Sequence, residues 1–306
     1  LIFPLVCYSH NDSHIQSQYL QLPLEYLVLG IENYLLFPRL HSVCSYFYNN
    51  VIVSFLPVDF TYSQVVLITG GSAGIGAATA ELFAKEGASV AIVGRNETKL
   101  NAVVQRCQKF KANCLAIKAD VSKDVEADLI VQKTVDKFGK LDVLVNNAGI
   151  LKTSGILEDN FLETYDEVMN INLRGPVRIT RFAVPHLIKT KGNIVNVSSI
   201  AGTITKRPNS IAYRTSKAAL NHFTRSLAPH GVRVNSVSPC PVRTDIFKGL
   251  KVNESTLKEM RAMHRVSEIK EIADAIVFVA SHKAKNITVS LFVCYLFTPK
   301  PLNRSS

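Results

Sequence analysis

Tyr213-Arg214-Thr215-Ser216-Lys217 places a phenol and an amine four residues apart, so they share one face wherever the segment is helical. A free phenol titrates near ~10 and is a poor base at neutral pH, but an adjacent ammonium favours the phenolate. The pair then makes a proton donor or acceptor for a carbonyl or alcohol. The same two residues also occur at this spacing on helices with no chemistry to do. Upstream, Ile194-Val195-Asn196-Val197-Ser198-Ser199 reads as a strand ending in two serines. A second group is Thr69-Gly70-Gly71-Ser72-Ala73-Gly74-Ile75-Gly76, directly after the apolar run Val65–Ile68. Glycines permit a tight turn and close backbone approach, and a following helix would offer free N–H groups and a partial positive charge to a pyrophosphate. A plain structural turn is the alternative, which the strand-turn-helix setting disfavours.

These residues need a scaffold, and the rest of the chain supplies its pattern. The runs Val65–Ile68, Val90–Val93, Leu115–Ala119, Val143–Val145, Ile194–Val197 and Val232–Val237 predict strands, with helical patterns such as Ala77–Glu86 and Glu126–Phe138 between most of them. Continuous apolar strands separated by helices imply a parallel sheet covered on both faces. The expected architecture is α/β, a doubly wound parallel sheet (Rossmann fold) with its ligands at the carboxyl ends of the strands.

The chain has 306 residues and a net charge of +11, which by itself raises nucleic acid, anionic membrane or a phosphorylated ligand as partners. Residues 1–64 hold no Lys, one Arg and four acids, yet twelve of the 25 Phe and Tyr, so the positive excess belongs to the remainder. Composition thus divides the chain into an extension over 1–64, a single domain over 65–294 and an atypical tail over 295–306. The extension's apolar runs are too interrupted for a signal peptide or a transmembrane segment, and it lacks the basic residues of a membrane-surface anchor. It is expected to be poorly ordered or an artefact of how the coding region was delimited. Six scattered cysteines without a CxxC pair, and no His cluster at ligand spacing, indicate neither a metal site nor a disulfide framework. A reducing compartment, and hence a cytoplasmic location, is the default. No basic run interleaved with aromatics supports nucleic-acid binding.

The Gly-x-x-x-Gly-x-Gly turn after Thr69, Asn146-Asn147-Ala148-Gly149 at a strand end, and Tyr213-x-x-x-Lys217, in that order, resemble the short-chain dehydrogenase/reductase family. The resemblance covers about residues 60–294, roughly three quarters of the chain. It implies that Gly70, Ser72, Gly74, Ile75 and Gly76 cradle a dinucleotide. Asp120 and Val121, after the third strand, and Asn147, Ala148 and Gly149, after the fourth, would line it further. After the second strand, where a carboxylate would select NAD, stands Arg95, whose guanidinium can pair with a 2′-phosphate, so the cofactor is read as NADP(H). The resemblance further implies that Ser199 polarises the substrate oxygen, Tyr213 transfers the proton, and Lys217 holds the nicotinamide ribose while lowering the pKa of Tyr213. Asn172, in Asn170-Ile171-Asn172-Leu173-Arg174-Gly175, would support a proton relay, and Thr244 would bond the nicotinamide amide. Ser198 is expected to be structural.

Three departures from the family stand out. Ser238-Pro239-Cys240 puts a cysteine where relatives usually have glycine close to the nicotinamide. From Tyr213 to Asn235 the chain is about one helical turn, ~3.6 residues, short of its relatives, near Leu227-Ala228-Pro229 in a helix that commonly packs in the family's dimer interface; this puts homo-oligomerisation in doubt. Val289 stands where relatives have glycine before the last strand, and Cys294-Tyr295-Leu296-Phe297 replaces their Asp-Gly-Gly after it. The expected activity is reversible hydride transfer between NADP(H) and a small carbonyl or secondary alcohol. A cofactor-binding but catalytically weak homologue is the second reading. The substrate itself is chosen by loops after the strands, including Asp245–Arg265, for which no residue code exists.

Overall fold

The computed structural model describes residues 64–203, 209–227, 231–248 and 267–294. The expectations for residues 1–63, for 295–306 and for the missing turn at Ala228-Pro229 lie outside the described residues. Seven parallel strands form one sheet in the order β3-β2-β1-β4-β5-β6-β7. They are β1 (Val65–Thr69), β2 (Ser89–Gly94), β3 (Cys114–Lys118), β4 (Val143–Asn146), β5 (Asn193–Val197), β6 (Arg233–Pro239) and β7 (Leu291–Cys294). The helices are α1 (Gly74–Lys85), α2 (Glu97–Gln108), α3 (Asp124–Phe138), α4 (Phe161–Met169), α5 (Gly175–Thr190), α6 (Ile211–Ser226) and α7 (Ile269–Ala280). The chain is therefore the doubly wound α/β fold that the alternation of apolar runs and helical patterns predicts, its order reversing between β1 and β4.

β1 shows why its sequence reads as an unbroken apolar run: all five residues are buried. Val66 and Ile68 pack with Ala80 and Phe83 of α1, Leu100 of α2 and Ile276 of α7, while Val65 and Leu67 pack with Ile130 of α3 and Ile179 and Leu187 of α5. A strand covered on both faces has no solvent side to be polar on. At its start, the β1 backbone N–H of Val65 donates to Asp142 Oδ2 at 2.7 Å, tying β1 to the approach of β4.

Strand ends differ from the sequence reading by a residue or two, and α1 begins at Gly74, before Ala77. Its first turn, Gly74-Ile75-Gly76, carries too little apolar periodicity to announce a helix. Between α4 and α5 the chain makes a π-helical turn over Asn170–Arg174, which no periodicity predicts. β7 pairs in parallel with β6 from Ser236↔Leu291 to Pro239↔Cys294. Its approach is anchored by Arg233, whose guanidinium donates to the carbonyls of Val279, Ala280, Ser281, Ala284 and Ile287. Val289, in the position where the resemblance expects glycine, has φ +61°. That left-handed backbone is an outlier for a β-branched residue and stores strain beside β7. Among the described residues, no helix is long and apolar enough to cross a membrane.

Candidate active site

The Gly-rich turn and the Asn147–Gly149 turn are locked together at the carboxyl ends of β1 and β4. Thr69 Oγ1 accepts hydrogen bonds from the backbone N–H groups of Asn147 (3.0 Å) and Ala148 (3.1 Å). Asn147 Nδ2 donates in return to the carbonyls of Thr69 (2.9 Å) and Gly70 (3.1 Å). The contact leaves no room for side chains: a Cβ on Gly70, at φ +64°, would lie 2.8 Å from Ala148 Cα, and one on Gly76 would lie 2.4 Å from Asn147 Nδ2. Thr69 is the residue whose role sequence reasoning passed over, although it directly precedes the glycines.

α1 opens on Ala73, which offers no side-chain cap. Among the described residues, no acceptor meets the backbone N–H groups of Gly74, Ile75 or Gly76. A helix N-terminus with free N–H groups, backed by side-chain-free glycines, fits a pyrophosphate. These residues are thus chemically suited to hold a dinucleotide, and Gly70, Ser72, Gly74, Ile75 and Gly76 form one contiguous cradle.

Arg95 follows β2 and is 67% exposed, with Nη1 3.8 Å from Asp120 Oδ2. At that distance the contact is an ion pair without a hydrogen bond. Asp120, after β3, accepts from Ser122 N (3.0 Å) and Oγ (2.7 Å). Burial pushes its carboxyl up, but the Ser122 hydrogen bonds, with Arg95 and Lys123, outweigh this and hold it below the usual carboxylate range. Val121 is buried, and Gly175 of α5 passes so close that a Cβ there would meet the Val121 carbonyl at 2.8 Å.

Two of the four residues expected to do chemistry, Asn172 and Lys217, come together beside Gly149. A Cβ there would lie 3.3 Å from Asn172 Oδ1 and 3.6 Å from Lys217 Nζ. Asn172 is fully buried in the π-helical turn. Its carboxamide accepts from Ile150 N (2.8 Å) and donates to Ile150 O (2.9 Å) and Ser216 Oγ (3.1 Å). π-Helical turns recur at functional sites because the extra residue re-aims a side chain. α6 brings Tyr213 and Lys217 onto one face, with Lys217 Nζ 5.8 Å from the Tyr213 ring centroid and donating to Val197 O at 2.8 Å. Burial pushes the Tyr213 phenol up, and a hydrogen bond with Ser199 pulls it partly back. Burial lowers Lys217 to about 8. Ser198 Oγ donates to the Lys217 carbonyl at 3.1 Å, tying the end of β5 to α6.

Behind these residues runs a buried polar ladder that sequence reasoning missed. Asn146 Nδ2 donates to Thr180 Oγ1 and Asn196 Oδ1, and Asn196 Nδ2 donates to Thr224 Oγ1. It joins α5, β4, β5 and α6, and its only sequence signal is an asparagine late in each of two adjacent strands, paired as Asn146↔Asn196. After β6, Thr244 packs on the Gly-rich turn: a Cβ on Gly74 would lie 3.2 Å from Thr244 Cγ2. Cys240 is partly buried, and that burial pushes its thiol up, away from the thiolate a reactive cysteine needs.

Comparison with known proteins agrees with this geometry. The family model described as short chain dehydrogenase matches residues 64–255. An uncharacterized oxidoreductase of Thermotoga maritima is 41% identical over 240 residues, spanning 74% of this chain and 94% of that protein. The crystal structure of a short-chain dehydrogenase/reductase of unknown function from Caenorhabditis elegans, with cofactor, superposes with a TM-score of 0.70 at 35% identity, covering 76% of this chain and 94% of that one. A short chain dehydrogenase from Burkholderia cenocepacia in complex with NADP gives 0.71 at 31% identity, over 76% and 96%. With this sheet order, these turns and these relatives, the chain belongs to the short-chain dehydrogenase/reductase family of oxidoreductases.

Proposed function

We propose that this protein interconverts a small carbonyl compound and its secondary alcohol with NADP(H), using Asn172, Ser199, Tyr213 and Lys217. The observation that carries this reading is the chain of contacts among the four: Asn172 and buried Lys217 meet at the backbone of Gly149, Lys217 Nζ lies 5.8 Å from the ring of the partly buried Tyr213, and Tyr213 hydrogen-bonds with Ser199. Bound NADPH would supply the hydride that reduces the carbonyl carbon. In that direction the hydroxyls of Ser199 and Tyr213 hold the carbonyl oxygen, and Tyr213 gives it the phenolic proton. Burial pushes the phenol further up, so it carries its proton at neutral pH, as a general acid must. Asn172, Lys217 and the Ile150 carbonyl border the route by which Tyr213 regains a proton.

The dinucleotide would lie on the Gly-rich turn, against Asn147, Ala148 and Gly149, with Thr244 near the nicotinamide and Asp120 and Val121 near the adenine. Support for NADP(H) over NAD(H) comes from Arg95: its exposed guanidinium is free of close hydrogen bonds among the described residues. Such a group can form a bidentate pair with a 2′-phosphate. Lys217, at about 8, also sets a pH dependence: reductive turnover should fall as pH rises through that value and the ammonium is lost.

The test is Tyr213→Phe, assayed for NADPH oxidation across a panel of dicarbonyls, with NADPH binding followed by cofactor fluorescence. The expected result is lost turnover with binding retained. Turnover preserved in the variant overturns the assignment of Tyr213. Binding without turnover in the unaltered protein favours the catalytically weak alternative.

A further inference from the structure

The loops after β2 and β6 close a ring with the Gly-rich turn at the carboxyl ends of the strands. The first link is at β2, where a Cβ on Gly94 would lie 3.0 Å from Ser72 Oγ. The second is after β6, where Thr244 packs on Gly74. The third joins these two flanking loops directly: Lys99 Nζ, in the first turn of α2, donates to Asp245 Oδ2 at 3.2 Å, across 146 residues of sequence. The Lys99 backbone N–H donates to the N-cap Asn96 Oδ1 at 2.9 Å, which fixes that turn four residues after Arg95. The other oxygen of Asp245 is taken by Lys248 at 2.8 Å. The ion pair thus links the two loops that flank the cradle, and Lys99 follows Arg95 by four residues.

We propose that Lys99 is a phosphate-contacting specificity residue of the dinucleotide site and that Asp245 competes with the cofactor for it. The inference rests on the dinucleotide reading of the Gly-rich turn and goes beyond it in assigning Lys99 and Asp245. The exchange is cheap on both sides. The two groups are 49% and 46% exposed, so their pairing shifts an equilibrium by no more than about fivefold. Asp245 also keeps Lys248 when Lys99 leaves it, so no carboxylate is stranded. A 2′-phosphate, or the pyrophosphate as a whole, carries more negative charge than the carboxylate it displaces and therefore wins the lysine when bound. The cost of freeing Lys99 is then part of the cofactor's apparent affinity.

The experiment measures dissociation constants for NADPH and NADH by cofactor fluorescence in the full chain, Lys99→Met, Asp245→Asn and the double variant, at low and high salt. Asp245→Asn should tighten NADPH binding about two- to fivefold at low salt, and Lys99→Met should weaken it by a similar factor. The gain from Asp245→Asn should largely disappear in the Lys99→Met background, which separates Lys99 from the Lys248 that the same substitution frees. Raising the salt should shrink every effect. Coupling larger for NADPH than for NADH assigns Lys99 to the 2′-phosphate, and equal coupling assigns it to the pyrophosphate. An Asp245→Asn variant without tighter binding to either dinucleotide, or with the same gain when Lys99 is absent, overturns the proposal. The NADP(H) preference fails by a different readout, an unchanged NADPH-to-NADH ratio in Arg95→Asp, so the two readings fall separately.

Discussion

Lys217 and Arg95 are the two cations around which the candidate site is built, and they work under opposite conditions. Lys217 is 4% exposed, held by the Val197 carbonyl, and burial alone brings it to about 8. Arg95 is 67% exposed, and its nearest carboxylate lies 3.8 Å away. Around Lys217, removal of water makes each polar contact strong and each unpaired group costly. Around Arg95, Lys99 and Asp245, water and salt screen the charges, so the contacts are weak and exchangeable. In the proposed reaction, desolvation would tune proton chemistry at one end, and solvent-exposed charge would tune cofactor choice at the other.

That contrast can be broken by substitution, and the largest effect belongs to the buried end. Tyr213→Phe should lower turnover by about 10²–10⁴-fold, the usual contribution of a positioned general acid, with NADPH affinity changed little. Lys217→Met should abolish turnover yet stabilise the fold on the order of 2 kcal/mol at pH 7, measured by denaturant unfolding. The sign follows from linkage. Below about pH 8 the lysine is charged in both states and the folded protein bears the full cost of burying it. From there to 10.5 only the unfolded chain stays protonated, so the cost, and with it the variant's advantage, fades as pH rises.

At the exposed end, Arg95→Asp should shift the NADPH-to-NADH affinity ratio by about tenfold, equivalent to ~1.4 kcal/mol, and the shift should shrink in high salt. A salt-independent shift would mean that the two ends do not differ in screening as described. The smallest effect lies outside both. Val289→Gly should raise stability by about 1 kcal/mol by relieving the left-handed backbone at φ +61°, with little change in the kinetics of either end.

Much of this was legible in the residues. The apolar runs became strands because a parallel sheet buried on both faces leaves no polar side to interrupt them. Tyr213 and Lys217 share a face because α6 is a helix, and Gly70 and Gly76 are glycine because Asn147 and Ala148 press against them. The π-helical turn at Asn172 was not legible, since no local periodicity marks it and the Ile150 partner of that carboxamide lies 22 residues away. Nor was the ladder through Asn146 and Asn196, because an asparagine in a strand is ambiguous until a paired strand puts a second amide opposite it.

The sequence by itself determined the alternation of strands and helices, the cradle of glycines and the identity of the groups able to move a proton, since these follow from local propensity and short spacing. Tertiary structure alone decided their strength. Burial lowered Lys217 and raised Tyr213, solvent left Arg95 loosely paired, and the fold brought Lys99 within reach of Asp245. A side chain's type is written in the chain, but its dielectric surroundings and its distant neighbours exist only once the chain has folded.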